Sequence, residues 1–312
     1  PQLQAGDHPT IRQKIDAAAR GGIVSSEQTA ELELHDLGLD LVELSLDLVE
    51  GIETFAGSRD AVERHRAALD ANGLRAHATF TGLSAYSLDL LMHPDQGRRE
   101  AALQWYRTII DLTASLGARA TGGHVGAMSV PDWNDPERRG ERWEGMRRDL
   151  ATIAAHANTA GLEYLLVENL VAVREPSTMA QLDELINDGD ANHVPWRLCL
   201  DVGHHCVPGT EGGERDPYAW LRHFGRGLVE VQLQQSDGIA DHHWAFTPEH
   251  NATGLIEPSR VLETLESAGA GTVDLIFEII PSWEEPDDRV IGDLRHSVDL
   301  WRAAIDARGV GG

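Results

Sequence analysis

The chain has 312 residues, 41% hydrophobic and 25% charged, which is the composition of an ordinary globular protein and the size of one (β/α)8 barrel. Its formal net charge of −25 repels polyanions over the whole surface and argues against nucleic acid or an anionic membrane as partners; no apolar run approaches the roughly 20 residues that span a bilayer. Lys14, in the amphipathic run IRQKIDAAAR, is the only lysine, which all but removes Schiff-base catalysis.

In chain order, short β-rich apolar runs fall at residues 3–5, 41–46, 74–80, 118–124, 162–167, 196–200, 229–233 and 273–277. Amphipathic stretches separate them, among them RDAVERHRAALDANG, REAALQWYRTIIDLTASLG and RVLETLESAG, each ending in the glycine that a helix C-cap favours. This alternation is the pattern of repeated βα units and predicts an α/β fold, a single-domain (β/α)8 TIM barrel over residues 1–312. Segment 21–29, GGIVSSEQT, interrupts the first crossover and is expected to be a loop or a broken helix. Long connections at 126–139, 204–216 and 236–258 are rich in Gly, Pro, Asp and Trp and are expected to build the active-site mouth. Cys199 and Cys206 are too few for a disulfide scaffold and, with no secretory leader at the start of the sequence, predict a cytoplasmic protein.

Barrels place their sites at the C-terminal ends of the strands, and here those ends are polar. Glu168 and Asn169 close LEYLLVEN, Asp201 closes WRLCLD, Gln232 interrupts LVEVQLQQSDG and Glu278 closes VDLIFE. Each residue alone has a plain structural use, as a helix cap or an arginine partner. Three carboxylates converging with no lysine among them repel one another, and a divalent cation is the simplest relief. His77 and His124 end the third and fourth runs, so both are expected at the same mouth as substrate or second-metal groups. Glu43 and Ser45, on the second run, either line it or make a core hydrogen bond.

The runs VEN, LDVGHH, VQLQQSDG and FEI resemble the metal-binding strands of the xylose-isomerase-like sugar isomerase and epimerase superfamily, which includes ketose 3-epimerases, and the resemblance covers nearly the whole chain. It implies metal ligation by Glu168, Asp201, Gln232 and Glu278, with Gln232 standing where the family usually has histidine. So oxygen-rich a set favours Mn²⁺ or Mg²⁺ over Co²⁺ or Zn²⁺. The resemblance also implies that Glu168 and Glu278 are acid and base, one removing the proton beside a ketose carbonyl and the other returning it to the opposite face. His204 matches a histidine that contacts the substrate oxygen near the metal. The loop run Asp241-His242-His243-Trp244 is closer to tetrulose-phosphate epimerases or racemases, and a phosphate would find donors in His242, His243 and Arg215. A small ketose or ketose phosphate is therefore the expected partner, and a homodimer or homotetramer the expected assembly.

Rival classes use the same residues. Decarboxylases of oxo sugar acids and lyases that cleave oxidised C-glycosides share the metal and the base but differ at the substrate end. A resemblance to three-zinc AP endonucleases would recruit His77, His124, Glu168, Asp201, His204, Asp241, His243 and Glu278 to a multi-metal phosphodiesterase; the acidic chain and Gln232 in a histidine's place argue against it. A sugar sensor would bind ketoses without exchanging the proton on the α-carbon.

Overall fold

The computed structural model describes residues 37–45, 58–82, 88–188, 193–282 and 284–309. The expected strand at 3–5 and the interruption at 21–29 lie outside them. The other seven expected strands all form: β1 (Leu41–Ser45), β2 (Arg75–Phe80), β3 (Ala120–Gly123), β4 (Tyr164–Glu168), β5 (Trp196–Asp201), β6 (Glu230–Leu233) and β7 (Asp274–Phe277). Each pairs in parallel with the next, and β7 comes back towards β1, so the sheet curls into a nearly closed barrel.

The described helices are α1 (Ser58–Ala71), α2 (Gln96–Leu116), α3 (Val130–Asn134), α4 (Pro136–Ala160), α5 (Met179–Asn187), α6 (Pro217–Phe224), α7 (Pro248–Asn251), α8 (Pro258–Ser267) and α9 (Asp287–Ala307). Their ends follow the chemistry of the sequence. Asp95 and Asp135 cap α2 and α4 by accepting backbone N–H groups, and Pro136 takes the first position of α4, where no N–H is needed. Gly117 and Gly161 end the same helices in the left-handed conformation. The connection expected at 126–139 is more ordered than the sequence suggested, because Ser129 and Asp135 start α3 and α4 within it. Among the described residues no helix is long and apolar enough to cross a membrane.

The main apolar core lies between sheet and helices. Val42, Leu44, Leu165, Val167, Leu198, Leu200, Val231 and Leu233 pack outward against helix residues such as Ile110, Ile153, Leu182 and Leu221, each such burial worth about 1.5–3 kcal/mol.

The lumen is filled differently. Branched apolar side chains are the usual filling, but here buried Glu43, His77, Glu230 and Gln232 make contacts between strands that are not neighbours in the sheet, and such contacts cross the lumen. Gln232 donates to Glu43 at 3.3 Å, and Cys199 Sγ donates to Glu230 at 2.9 Å.

His77 departs from expectation. The β1–β2 register jumps from Val42 opposite Ala76 to Glu43 opposite Ala78, so His77 is the extra residue of a β-bulge, which re-aims its side chain. The imidazole sits at the starts of the strands, away from the mouth, 2.6 Å from Glu230 and 3.1 Å from Asp274. Arg119 completes the group, 2.8 Å from Asp274. Burial disfavours the charged imidazole, yet its bonds to Asp274 and Glu230 hold its pKa up to about 10.

Two glycines at the end of β3 shape the upper lumen. At Gly123, φ is +109°, and an added Cβ would fall 2.3 Å from the Phe80 ring. Gly123→Ala is expected to cost about 2–4 kcal/mol from backbone strain and overpacking, read as a lower denaturant midpoint with an unchanged slope.

Candidate active site

Glu168 is the last residue of β4, Asp201 the last of β5, and Glu278 follows β7, its backbone N–H donating to Leu233 of β6. All three are buried. Asn169 couples the first two strands: its Nδ2 donates to the Asp201 carbonyl at 3.0 Å, and its Oδ1 accepts the Asp201 N–H at 2.9 Å. This side chain continues the parallel ladder where the backbone of β4 leaves it. Asp201 Oδ1 also accepts the Gly203 N–H at 2.6 Å, and that turn brings His204 round.

His204 closes the ring. Its Nδ1 lies 2.8 Å from the Asn169 carbonyl and 3.3 Å from Glu168, and its Nε2 lies 3.4 Å from both Asp201 and Asp241. One ligand atom from each of Glu168, Asp201, His204 and Glu278 falls within 4.8 Å of the others. His204, Asp241 and His243 form a second such group, sharing His204. Buried Glu278 Oε2 and His204 Nε2 have no hydrogen-bond partner among the described residues. A Glu278 oxygen without a hydrogen bond, and a His204 nitrogen with only long carboxylate contacts at 3.4 Å, inside a ring of carboxylates and imidazole suit a divalent cation bound by O and N donors.

The electrostatics follow from burial. Desolvation and neighbouring carboxylates push the Glu168 carboxyl well above its usual range, against the pull of His204, and raise Glu278 to about 7. Burial opposes the charged form of His204, but Asp201, Asp241 and Glu168 raise its proton affinity well above that of an ordinary histidine. Burial also acts against Asp241, yet His204 and His243 hold it well below the usual carboxylate range.

A cavity of about 280 Å³ opens on this ring. Glu168, His204, Asp241, His243 and Glu278 line its polar side with Ser45; Phe80, Val171 and Ile280 line the apolar side. The profile of the xylose isomerase-like TIM barrel matches residues 32–305. The chain belongs to that family. A D-erythrulose 1-phosphate 3-epimerase of Brucella abortus (strain 2308) is 30% identical over 243 residues, which are 77% of this chain and 78% of that protein. A candidate xylose isomerase of Rhodospirillum rubrum is 28% identical with a TM-score of 0.80, over 91% of this chain and 96% of its own. The D-psicose 3-epimerase of Clostridium cellulolyticum H10, solved with D-tagatose, shares the fold at 14% identity and a TM-score of 0.67, over 90% of this chain and 94% of that one.

Not every expected residue reaches the mouth of this xylose isomerase-like barrel. The Gln232 side chain donates to Glu43, and it is Gln234 that meets Asp201, at 2.9 and 3.1 Å from its two carboxylate oxygens. Both glutamines point inward, being two residues apart; Gln232 pairs in register with Asp201 but turns its side chain to Glu43, and the glutamine whose side chain touches the ring is Gln234. His124 is buried beneath the rim, off the cavity lining, its ring 3.5 Å from the Leu88 carbonyl and burial lowering its pKa to about 4. His242 pairs with Asp237 and stacks on Trp244 at 3.7 Å, and His250 stacks on Trp244 as well, at 4.8 Å. Arg215 donates to the Gly238 carbonyl. His242, Trp244 and Arg215 therefore brace the loop after β6, and of that run Asp241 and His243 face the cavity. Cys199 and Cys206 are free thiols.

Proposed function

We propose that this chain is a divalent-metal-dependent 3-epimerase of a small ketose or ketose phosphate, with a tetrulose phosphate as the first substrate to test. The observation that carries the reading is a pair of buried glutamates, Glu168 and Glu278, opening on one small cavity, both with proton affinities raised by burial above the usual carboxylate range. The relative that acts on D-erythrulose 1-phosphate supports the same choice.

Glu168, Asp201 and Glu278 would hold the cation, with His204 beside them, and the predominance of oxygen donors favours Mn²⁺ or Mg²⁺. When bound, that ion supplies Lewis acidity to a ketose carbonyl and the neighbouring hydroxyl, acidifying the C–H between them. One glutamate carboxylate takes the proton from C3, and the carboxyl of the other gives a proton to the opposite face, inverting that centre. His204, held by the Asn169 carbonyl, orients a substrate oxygen, and His243 and Asp241 offer a donor and an acceptor to its hydroxyls. Phe80, Val171 and Ile280 keep water from the reacting carbon. The phosphodiesterase alternative loses His77, which lies at the other end of the barrel.

The deciding experiment incubates the Mn²⁺-loaded protein in D2O with D-erythrulose 1-phosphate, L-erythrulose 1-phosphate and free ketoses. Deuterium at C3 with inversion is the expected result; binding without exchange of any substrate would overturn the reading in favour of a sensor. Asp201→Asn is expected to weaken Mn²⁺ binding by about 10–100-fold, with activity returning at high Mn²⁺. Calorimetry giving an unchanged metal affinity would remove Asp201 from the ligand set.

A further inference from the structure

Four observations converge on Gln234. Its Nε2 faces both carboxylate oxygens of Asp201, Asp241 Oδ1 at 3.2 Å and His243 Nδ1 at 3.1 Å. Its Oε1 accepts the backbone N–H of His243 at 2.6 Å. His243 has φ +49°, and among the described residues only Leu90 shares a positive φ without being glycine. Gly203, in the turn between Asp201 and His204, carries no Cβ where one would fall 2.2 Å from Gln234 Cδ.

A histidine adopts the left-handed region only where its surroundings over-determine it. Beyond His243, the backbone is held by the bridge between Gln235 and Trp244, with bonds of 2.8 and 3.2 Å. Before it, the hold on the turn comes from Gln234, through the His243 N–H and the Asp241 carboxylate. This side chain thus ties the returning loop to Asp201, alongside the Ile280 N–H bond to the His243 carbonyl at 2.9 Å and the His204–Asp241 pair at 3.4 Å, and the glycine at 203 is what leaves it room.

We propose that Gln234 is a positioning residue that locks the turn at residues 241–243 onto Asp201, and so sets the imidazole of His243 and the carboxylate of Asp241 as the hydroxyl-binding wall of the cavity. The side chain acts through those two residues and takes no part in proton transfer. The proposal deepens the epimerase reading and rests on it for its kinetic consequence alone.

The test compares wild type, Gln234→Ala, Gln234→Asn and Gly203→Ala. Hydrogen exchange read by mass spectrometry is expected to be about tenfold faster across residues 241–246 in all three variants, the scale of one lost hydrogen bond, and unchanged across α8. In the ketose assay KM is expected to rise about tenfold while kcat falls by less than about threefold, as for lost ground-state binding. Gly203→Ala carries the test if the Gln234 variants fail to fold, since it displaces the glutamine without removing it. Unchanged protection of 241–246 overturns the proposal, as does a fall in kcat with KM unaltered. A wild type that exchanges no ketose proton would sink the epimerase reading, and the exchange of residues 241–246 would still decide the role of Gln234.

Discussion

Replacing either carboxyl proposed as acid or base, as Glu168→Gln or Glu278→Gln, is expected to keep the fold and lower turnover by at least about 10²-fold, the lower range for losing a positioned acid or base. Retention of the fold follows from the site itself. In the metal-free protein both carboxyls are buried at raised proton affinity, so an isosteric neutral amide relieves repulsion, and melting temperatures without Mn²⁺ are expected to hold or rise. The two variants should also differ in kind. Each keeps one base, so each should still wash deuterium into the epimer whose C3 proton faces the surviving glutamate and fail with the other epimer. Opposite patterns would assign a face to each glutamate; near-normal turnover in both would remove them from the mechanism.

The second large effect is on stability, at the far end of the lumen. His77→Ala leaves Glu230 buried without its cationic partner and is expected to destabilise the barrel by about 3–5 kcal/mol, measured by chemical denaturation. The pH dependence has a definite sign. The pKa of His77 is about 10 in the folded chain, against the 6.5 of a free histidine, so its stabilising contribution is complete below about pH 6.5 and is lost as pH rises towards 10. Asp274, Glu230 and Glu43 hold that proton, and Arg119 bonds the same Asp274. In His77→Gln the alkaline decline in melting temperature should flatten, and an equal decline in both proteins would show that this histidine is not charged in the fold.

Much of the barrel was legible in the sequence because its signals are local. β-Rich apolar runs gave seven strands within a few residues, and the glycines at 117 and 161 end helices where left-handed backbone is needed. Glu168, Asp201 and Glu278 were legible for the same reason, each being the first polar residue after an apolar run. What escaped depends on relations between distant segments. A bulge at His77 leaves no mark in periodicity, since one extra residue looks like ordinary alternation until its partner strand is known. Gln232 and Gln234 face the same way, and only their side-chain partners, Glu43 for the first and Asp201 for the second, show which of them touches the ring. Asp241 and His243 reach the cavity while His242 turns away to stack on Trp244, an outcome set by a positive φ that propensity gives no reason to expect.

The polar lumen bears on how such sequences drift. His77 and Glu230 are 153 positions apart yet share a bond of 2.6 Å, and Gln232 meets Glu43 across 189. Losing one member strands the other, whereas exchanging both for apolar residues of matched volume is often neutral. Substitutions at these positions should therefore survive in pairs and not singly, so that each column residue sets which neighbours its partner's site can accept. A library randomising 77 and 230 together should yield folded barrels whose two positions are correlated, and the barrel's interior would carry that history even where its surface has changed beyond comparison.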